Sequence, residues 1–95
     1  MQKAPRGLTN HHMIPRSRGG TDDEQNIKLV TRTVHEAWHA LFKNMKPNEV
    51  VALLLSDQFQ FDPENGLWKA WKIVFGPLTG RIEAARMVMD EWTPQ

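Results

Sequence analysis

The chain has 95 residues, enough for one domain at most, and its hydrophobic share of 40% and charged share of 24% are ordinary for a globular protein. No apolar run approaches the roughly 18 residues of a membrane span, and the first residues lack the apolar segment of a secretion signal, so we expect a cytoplasmic protein without membrane contact. Because cysteine is absent, any metal must be bound by histidine, carboxylate or water.

The net charge of +1 conceals an uneven distribution of charged residues. Residues 1–46 carry eight Lys and Arg against four Asp and Glu, whereas residues 47–95 carry four against seven. All four histidines lie in the basic half. A basic surface around a histidine cluster would favour a polyanionic substrate.

The first predicted elements form a β-hairpin. Residues 8–14 read as a short extended segment that Pro15 ends, and residues 27–30 supply a second extended run of apolar and β-branched character. The long connection contains two adjacent glycines and two arginines, Arg16 and Arg18. Since glycines bring backbone N–H groups close to a ligand, both arginines are candidate phosphate contacts, and solvated loop charges are the alternative.

A helix is predicted after the hairpin. Thr33 and Glu36 match the capping-box spacing and place its N-terminus at Thr33. Apolar side chains at helical spacing give it a buried face, namely Val34, Trp38, Leu41 and Phe42. His35 and His39 lie one turn apart on one face with Cβ atoms about 6 Å apart, which lets two imidazoles bind one ion.

The rest of the chain is predicted to be helical. A second helix begins at Pro47 and runs to about Phe59, a third begins at Asp62-Pro63 and ends at Gly76, and Thr79 caps a fourth. The fourth helix has a predicted apolar seam of Leu78, Ile82, Ala85, Met89 and Trp92. We expect these helices to be scaffold or a homodimer surface, and the tryptophans to be core residues rather than base-stacking platforms.

One short metal motif lies on the first helix. The segment His35-Glu36-Ala37-Trp38-His39 fits the HExxH pattern, in which two histidines bind zinc and the glutamate is the general base of a metalloprotease. A protease would need a third ligand, yet no histidine follows His39, and a downstream carboxylate would be an arbitrary choice among Glu49, Asp57 and Glu64.

A longer pattern accounts for more residues. It consists of His11-His12 with Pro15 three residues on, the basic Gly-Gly loop, Asn26, and His35-x-x-x-His39. Over residues 8–43 this pattern resembles the HNH, or ββα-metal, endonuclease family, and it is similar to the three-histidine metal site of the colicin-type DNases. The resemblance implies an α+β fold in a single domain of residues 1–95, with a ββα-metal core at 8–43 and a helical extension at 47–93.

The resemblance also implies a role for each site residue. His11, His35 and His39 would bind one divalent metal ion, His12 would be the general base, and Asn26 would hold the hairpin and the base in position. The substrate would be DNA, with 5′-phosphate and 3′-hydroxyl product ends. Three imidazoles are compatible with Zn, Ni, Co, Mn or Mg, and the identity of the ion stays open.

The chemistry of phosphodiester hydrolysis agrees with these roles. The reaction needs an activated water, a cation at the phosphate and help for the leaving oxygen. A metal on three neutral imidazoles keeps its positive charge and open coordination positions, and a free imidazole beside it can accept the proton of the water. Because adjacent strand residues point to opposite faces, His11 and His12 can serve one substrate only at an irregular strand or across a strand edge.

A different class of function fits the same residues. A non-catalytic module, either stabilised by a structural metal or free of metal, could bind nucleic acid or a protein without cutting it. Asp22 and Asp23 are expected to be turn or capping residues, although a second metal there is conceivable.

Overall fold

A computed structural model describes residues 3–57, 59 and 66–94. In this part of the chain, a two-stranded antiparallel sheet, β1 (Leu8–His12) and β2 (Ile27–Thr31), precedes four helices. The helices are α1 (Arg32–Phe42), α2 (Pro47–Leu55), α3 (Leu67–Phe75) and α4 (Arg81–Glu91). The predicted α+β class is therefore confirmed, with a hairpin and a helix at the start and a helical extension after them.

The hairpin connection is more ordered than a simple loop. It contains two single-turn 3₁₀ helices, Arg16–Arg18 and Glu24–Asn26. Strand β1 ends at His12, two residues earlier than predicted, because Pro15 and the first 3₁₀ turn redirect the chain. The strands pair in a register that places Thr9 opposite Val30 and His11 opposite Lys28.

Helix α1 begins two residues earlier than the capping box predicted. Thr31, the last residue of β2, has extended backbone angles, and its hydroxyl accepts a hydrogen bond from Val34 N at 3.2 Å. Thr31 is therefore the N-cap, and the prediction of Thr33 was wrong. Glu36 does not cap the helix but pairs with Arg32 at 3.1 Å, one turn away. The strand thus runs into the helix without a loop between them.

The extension follows the predicted order with shifted limits. Helix α2 begins at Pro47 as predicted but ends at Leu55, before Phe59. Helix α3 stops at Gly76 as predicted, while the predicted start at Asp62-Pro63 lies outside the described residues. Thr79 is not the cap of α4, because its hydroxyl donates to the Phe75 carbonyl at 2.6 Å and Gly80 precedes the helix.

The buried face of α4 differs from the predicted seam. The residues that this element buries are Ala84, Ala85, Val88 and Trp92, whereas Leu78, Ile82 and Met89 are exposed. Helix α4 packs on α2, and small alanines allow two helices to approach closely. Burial on this helix is therefore governed by the shape of its neighbour rather than by side-chain hydrophobicity.

One core connects the hairpin, α1 and the extension. Its buried members include Val30, Trp38, Phe42, Val50, Leu54, Trp71, Phe75 and Trp92. Three of the four tryptophans are buried as predicted, and Trp68 is half-buried against this cluster. Among the described residues, no helix is both long and apolar enough to cross a membrane.

Candidate metal centre

Three histidines converge between β1 and α1. The ring centroid of His11 lies 5.1 Å from that of His35 and 5.3 Å from that of His39, and the two helical rings are 4.9 Å apart. One ring nitrogen from each histidine lies within 4.8 Å of the other two. The hairpin thus brings His11 next to His35, although the two are 24 positions apart in the sequence. The side chains of His11, His35 and His39 could hold a metal ion.

The tautomer of His35 follows from its contact with Thr9. The single hydroxyl hydrogen of Thr9 is donated to the Val30 carbonyl at 3.0 Å, and the same oxygen lies 2.8 Å from His35 Nδ1. The oxygen must therefore accept from His35, which puts the proton on Nδ1. His35 Nε2 then carries the lone pair that a metal requires.

His39 has the same tautomer for a different reason. Its Nδ1 lies 3.0 Å from the carbonyl oxygen of Lys43, and a carbonyl can only accept, so Nδ1 carries the hydrogen. Lys43 ends α1 with a φ of 52°, the one positive φ of a non-glycine residue in the described chain. The carbonyl at this strained helix end thus orients the His39 ring, and Nε2 is the nitrogen of His39 that could bind a metal.

His11 lacks such a partner. Its side chain is 1% exposed, and neither ring nitrogen has a hydrogen-bond partner among the described residues. Desolvation, followed by the nearby positive forms of His35 and His39, lowers the pKa of His11 to about 3. Buried polar atoms are normally satisfied, so an orphaned imidazole kept neutral beside two others fits a bound cation.

The pKa of His35 also agrees with a cation site. Burial, followed by repulsion from His39, lowers the pKa of His35. Both shifts keep the imidazoles in the neutral form that binds metals. The donor set, three imidazole nitrogens without a carboxylate, is of the kind that borderline transition metals such as Zn²⁺ accept.

His12 lies beside this cluster and is bound differently. Its Nε2 is 2.9 Å from Asp22 Oδ1, and the hydrogen bond from His12 is the main cause that lowers the pKa of the Asp22 carboxyl. Since a carboxylate only accepts, His12 carries its hydrogen on Nε2 and its lone pair on Nδ1. The protonated form of His12 contributes to lowering the pKa values of His11 and His35, so the four rings share one electrostatic environment.

Asn26 ties the two ends of the hairpin connection together. Its Oδ1 accepts from Ile14 N at 2.8 Å, and its Nδ2 donates to the carbonyls of Ile14 and Thr21 at 3.0 and 2.9 Å. Its backbone carbonyl also accepts from Met13 N at 2.9 Å. Gly20 is required beside it, because a Cβ there would collide with the Ile14 carbonyl. The residues just after His12 are thereby held in one conformation.

The two loop arginines have different surroundings. Arg16 is exposed, with its Nε 3.6 Å from Asp22 Oδ1. Arg18 makes a two-pronged ion pair with Glu49 at 3.1 and 2.9 Å and donates to the Asn44 carbonyl at 3.2 Å. Arg18 therefore joins the hairpin connection to the turn between α1 and α2, a contact that the sequence analysis did not anticipate.

Comparison with known proteins agrees with this geometry. Residues 2–40 match the family model described as HNH endonuclease. The N-terminal part of the chain is therefore similar to the HNH endonuclease family. No curated protein and no solved structure matches the chain.

The HNH segment, residues 2–40, contains all four histidines and Asn26. Other residues around the site were missed by the sequence analysis, namely Thr9, Lys28, Lys43 and Trp92. Asp22 was expected to be a turn or capping residue, with a second metal there as the alternative, and not a partner of His12. Lys43 and Trp92 lie beyond the HNH segment. The sequence carries no local signal for the missed residues, because each acts on a residue distant in the chain or through a backbone carbonyl.

Proposed function

We propose that this chain is a metal-dependent endonuclease that hydrolyses phosphodiester bonds of DNA. The observation that carries the proposal is the convergence of His11, His35 and His39, with a fourth histidine beside them that is bound to a carboxylate instead. The match of residues 2–40 to the HNH endonuclease family supports a nuclease-type activity.

In this proposal His11, His35 and His39 hold one divalent metal ion. When bound, the ion supplies positive charge for the scissile phosphate and for the leaving oxygen. Thr9 and the Lys43 carbonyl orient His35 and His39 by accepting their Nδ1 hydrogens. The His11 side chain itself is almost fully buried, with 1% of its surface exposed.

His12 is the proposed general base. Because Asp22 accepts its Nε2 hydrogen, the atom that takes a proton from the attacking water is Nδ1. The negative charge of Asp22 then stabilises the imidazolium that forms. Asn26 supports this arrangement by holding the chain that follows the base.

Arg16 and Arg18 are the proposed phosphate contacts. Arg16 is exposed beside Asp22 and can turn toward a phosphate near His12. Arg18 would have to exchange Glu49 for the phosphate, so we expect it to contribute less to DNA affinity than Arg16 does. The homodimer through the helical extension and the cytoplasmic location both stay predictions.

The test is plasmid nicking with Mg²⁺, Mn²⁺, Ni²⁺ or Zn²⁺ compared with a chelator. We expect nicking with at least one ion and none with the chelator, while the His11→Ala protein should be inactive with every ion. Absence of nicking with all four ions, together with DNA binding, would favour the non-catalytic module. Casein in parallel tubes tests the metalloprotease, which the exposed pairing of Glu36 with Arg32 does not favour.

A further inference from the structure

A pair of stacked indoles lies against the histidine cluster. The rings of Trp38 and Trp92 are parallel within 4° with their centroids 4.0 Å apart. Trp38 belongs to α1 and directly precedes His39, whereas Trp92 follows α4, more than 50 residues beyond the HNH segment. Both rings are buried. The last helix of the extension therefore reaches back to the first strand of the chain.

His11 packs across the side of this stack. Its ring centroid is 5.2 Å from Trp92 and 5.8 Å from Trp38, at interplanar angles of 74° and 70°. Because the two distances are nearly equal, the imidazole lies beside the pair rather than over an outer face. Contacts of this edge-to-face kind are favourable and restrict ring rotation.

Strand β2 of the hairpin also contacts Trp92. Lys28, which pairs with His11 in the hairpin, places its Nζ 5.0 Å from the Trp92 ring centroid. A cation over an indole adds an electrostatic attraction to the apolar contact. Pro94 lines a small cavity of about 150 Å³ together with Gly20 and Asn26, so the chain after α4 also lies against the hairpin connection.

The three histidines are thus oriented in two ways. His35 and His39 each donate a hydrogen bond that sets the ring orientation, to Thr9 and to the Lys43 carbonyl. His11 has no such hydrogen bond among the described residues, and its orientation depends on packing. Trp92 supplies the nearer of the two indole contacts.

We propose that Trp92 is a positioning residue of the metal centre, which holds the His11 ring so that one nitrogen faces the other two histidines. The inference rests on the proposed metal binding by these histidines. It assigns to the helical extension a part in the site itself, so that the metal centre is incomplete without Trp92, the residue that follows α4.

The first test measures metal affinity of the full chain by calorimetry with Zn²⁺ and with Co²⁺. We expect Trp92→Leu, which keeps an apolar side chain but removes the ring, to weaken binding about 10-fold or more, the size typical of lost support around a metal ligand. Trp92→Phe, which keeps a ring, should recover most of the affinity. Trp68→Leu is the matched control, because Trp68 lies on α3 beside Lys72, and its affinity should stay within about 3-fold of wild type.

The second test does not depend on the leucine variant being folded. Co²⁺ quenches nearby indoles, so titration of the wild-type chain should lower tryptophan emission. We expect Trp92→Phe to lose a large share of that change and Trp68→Phe to keep it. Equal changes in both phenylalanine variants, or wild-type affinity in a folded Trp92→Leu chain, would overturn the proposal.

These readouts separate the inference from the nuclease proposal. If the wild-type chain binds metal, loses it in Trp92→Leu and yet cuts no DNA, the positioning role stands and the nuclease fails. If wild type cuts DNA and the folded Trp92→Leu chain binds metal and cuts as wild type does, the nuclease stands and the positioning role fails.

Discussion

The hydroxyl of Thr9 connects the two strands to helix α1, which carries His35 and His39. Its oxygen lies 2.8 Å from His35 Nδ1 while its hydrogen is donated to the Val30 carbonyl at 3.0 Å. A β-strand side chain thereby sets the tautomer of His35 on the helix. The histidines of α1 are thus oriented by groups outside their own motif.

Replacement of Thr9 tests this relationship. We expect Thr9→Val, which is similar in shape but has no hydroxyl, to weaken Zn²⁺ binding about 10-fold because His35 loses its Nδ1 acceptor. Thr9→Ser restores a hydroxyl and should bind as wild type does. Calorimetry at neutral pH measures both, and equal affinities for Val and Ser would contradict the assigned tautomer.

His12 should affect cleavage without affecting metal uptake. We expect His12→Ala to reduce plasmid nicking by about 10²- to 10⁴-fold, the usual contribution of a general base, since no other described group is proposed to take the proton. Metal affinity should change little because His12 is not a proposed ligand. Nicking assays beside calorimetry give both numbers, and cleavage at the wild-type rate would disprove the base assignment.

His39 should affect both properties. In His39→Ala the cluster keeps two imidazoles and Lys43 loses the ring that its carbonyl orients. We expect metal affinity to fall by more than about 100-fold, beyond the range for loss of a supporting contact, and nicking to fall with it. His39→Ala with wild-type calorimetry would remove His39 from the ligand set. Lys43→Gly, which relieves the positive φ but keeps the carbonyl, serves as the control.

The lowered pKa of His11 predicts an acid-sensitive metal-free fold. Its folded pKa, about 3, lies below the usual value of 6.5, so below pH 6.5 the unfolded chain binds a proton that the folded chain does not. Stability should therefore decrease as the pH falls from 6.5, by up to about 1.4 kcal/mol per pH unit from this group. The lowered pKa of His35 acts in the same direction.

Urea unfolding of metal-stripped protein at pH 6.5 and pH 4.5 measures this effect. His11→Leu removes the titrating group and should show a smaller loss of stability between the two pH values. The other ionisable side chains are present in both proteins, so the difference between the two losses measures the contribution of His11. Parallel losses in the two proteins would show that His11 is solvated in the folded state.

Local patterns in the sequence were sufficient for the framework. The alternation of short apolar runs around a Gly-Gly connection predicted the hairpin, and the spacing of His35 and His39 placed both rings on one helical face. Pro47 and Gly76 marked a helix start and a helix end correctly. These features depend on interactions within a few residues, which sequence spacing records directly.

The helix starts and the face of α4 were predicted less well, for a physical reason. The N-cap at Thr31 depends on where β2 stops pairing with β1, and the exposure of Leu78 and Ile82 depends on how α4 sits on α2. Neither property belongs to one segment alone. Residue-type patterns therefore misplace a cap by one or two positions and identify only part of a buried helix face, here Ala85 and Trp92.

The sequence by itself determined that four histidines, an asparagine and a basic glycine loop stand in the order of an HNH segment. Only the tertiary structure decided which nitrogen each ring can offer, because a tautomer is set by the partner of the other nitrogen. Those partners, Thr9, Lys43 and Asp22, and the indole of Trp92 reach the rings through folding of distant segments. A linear pattern holds no information about such contacts.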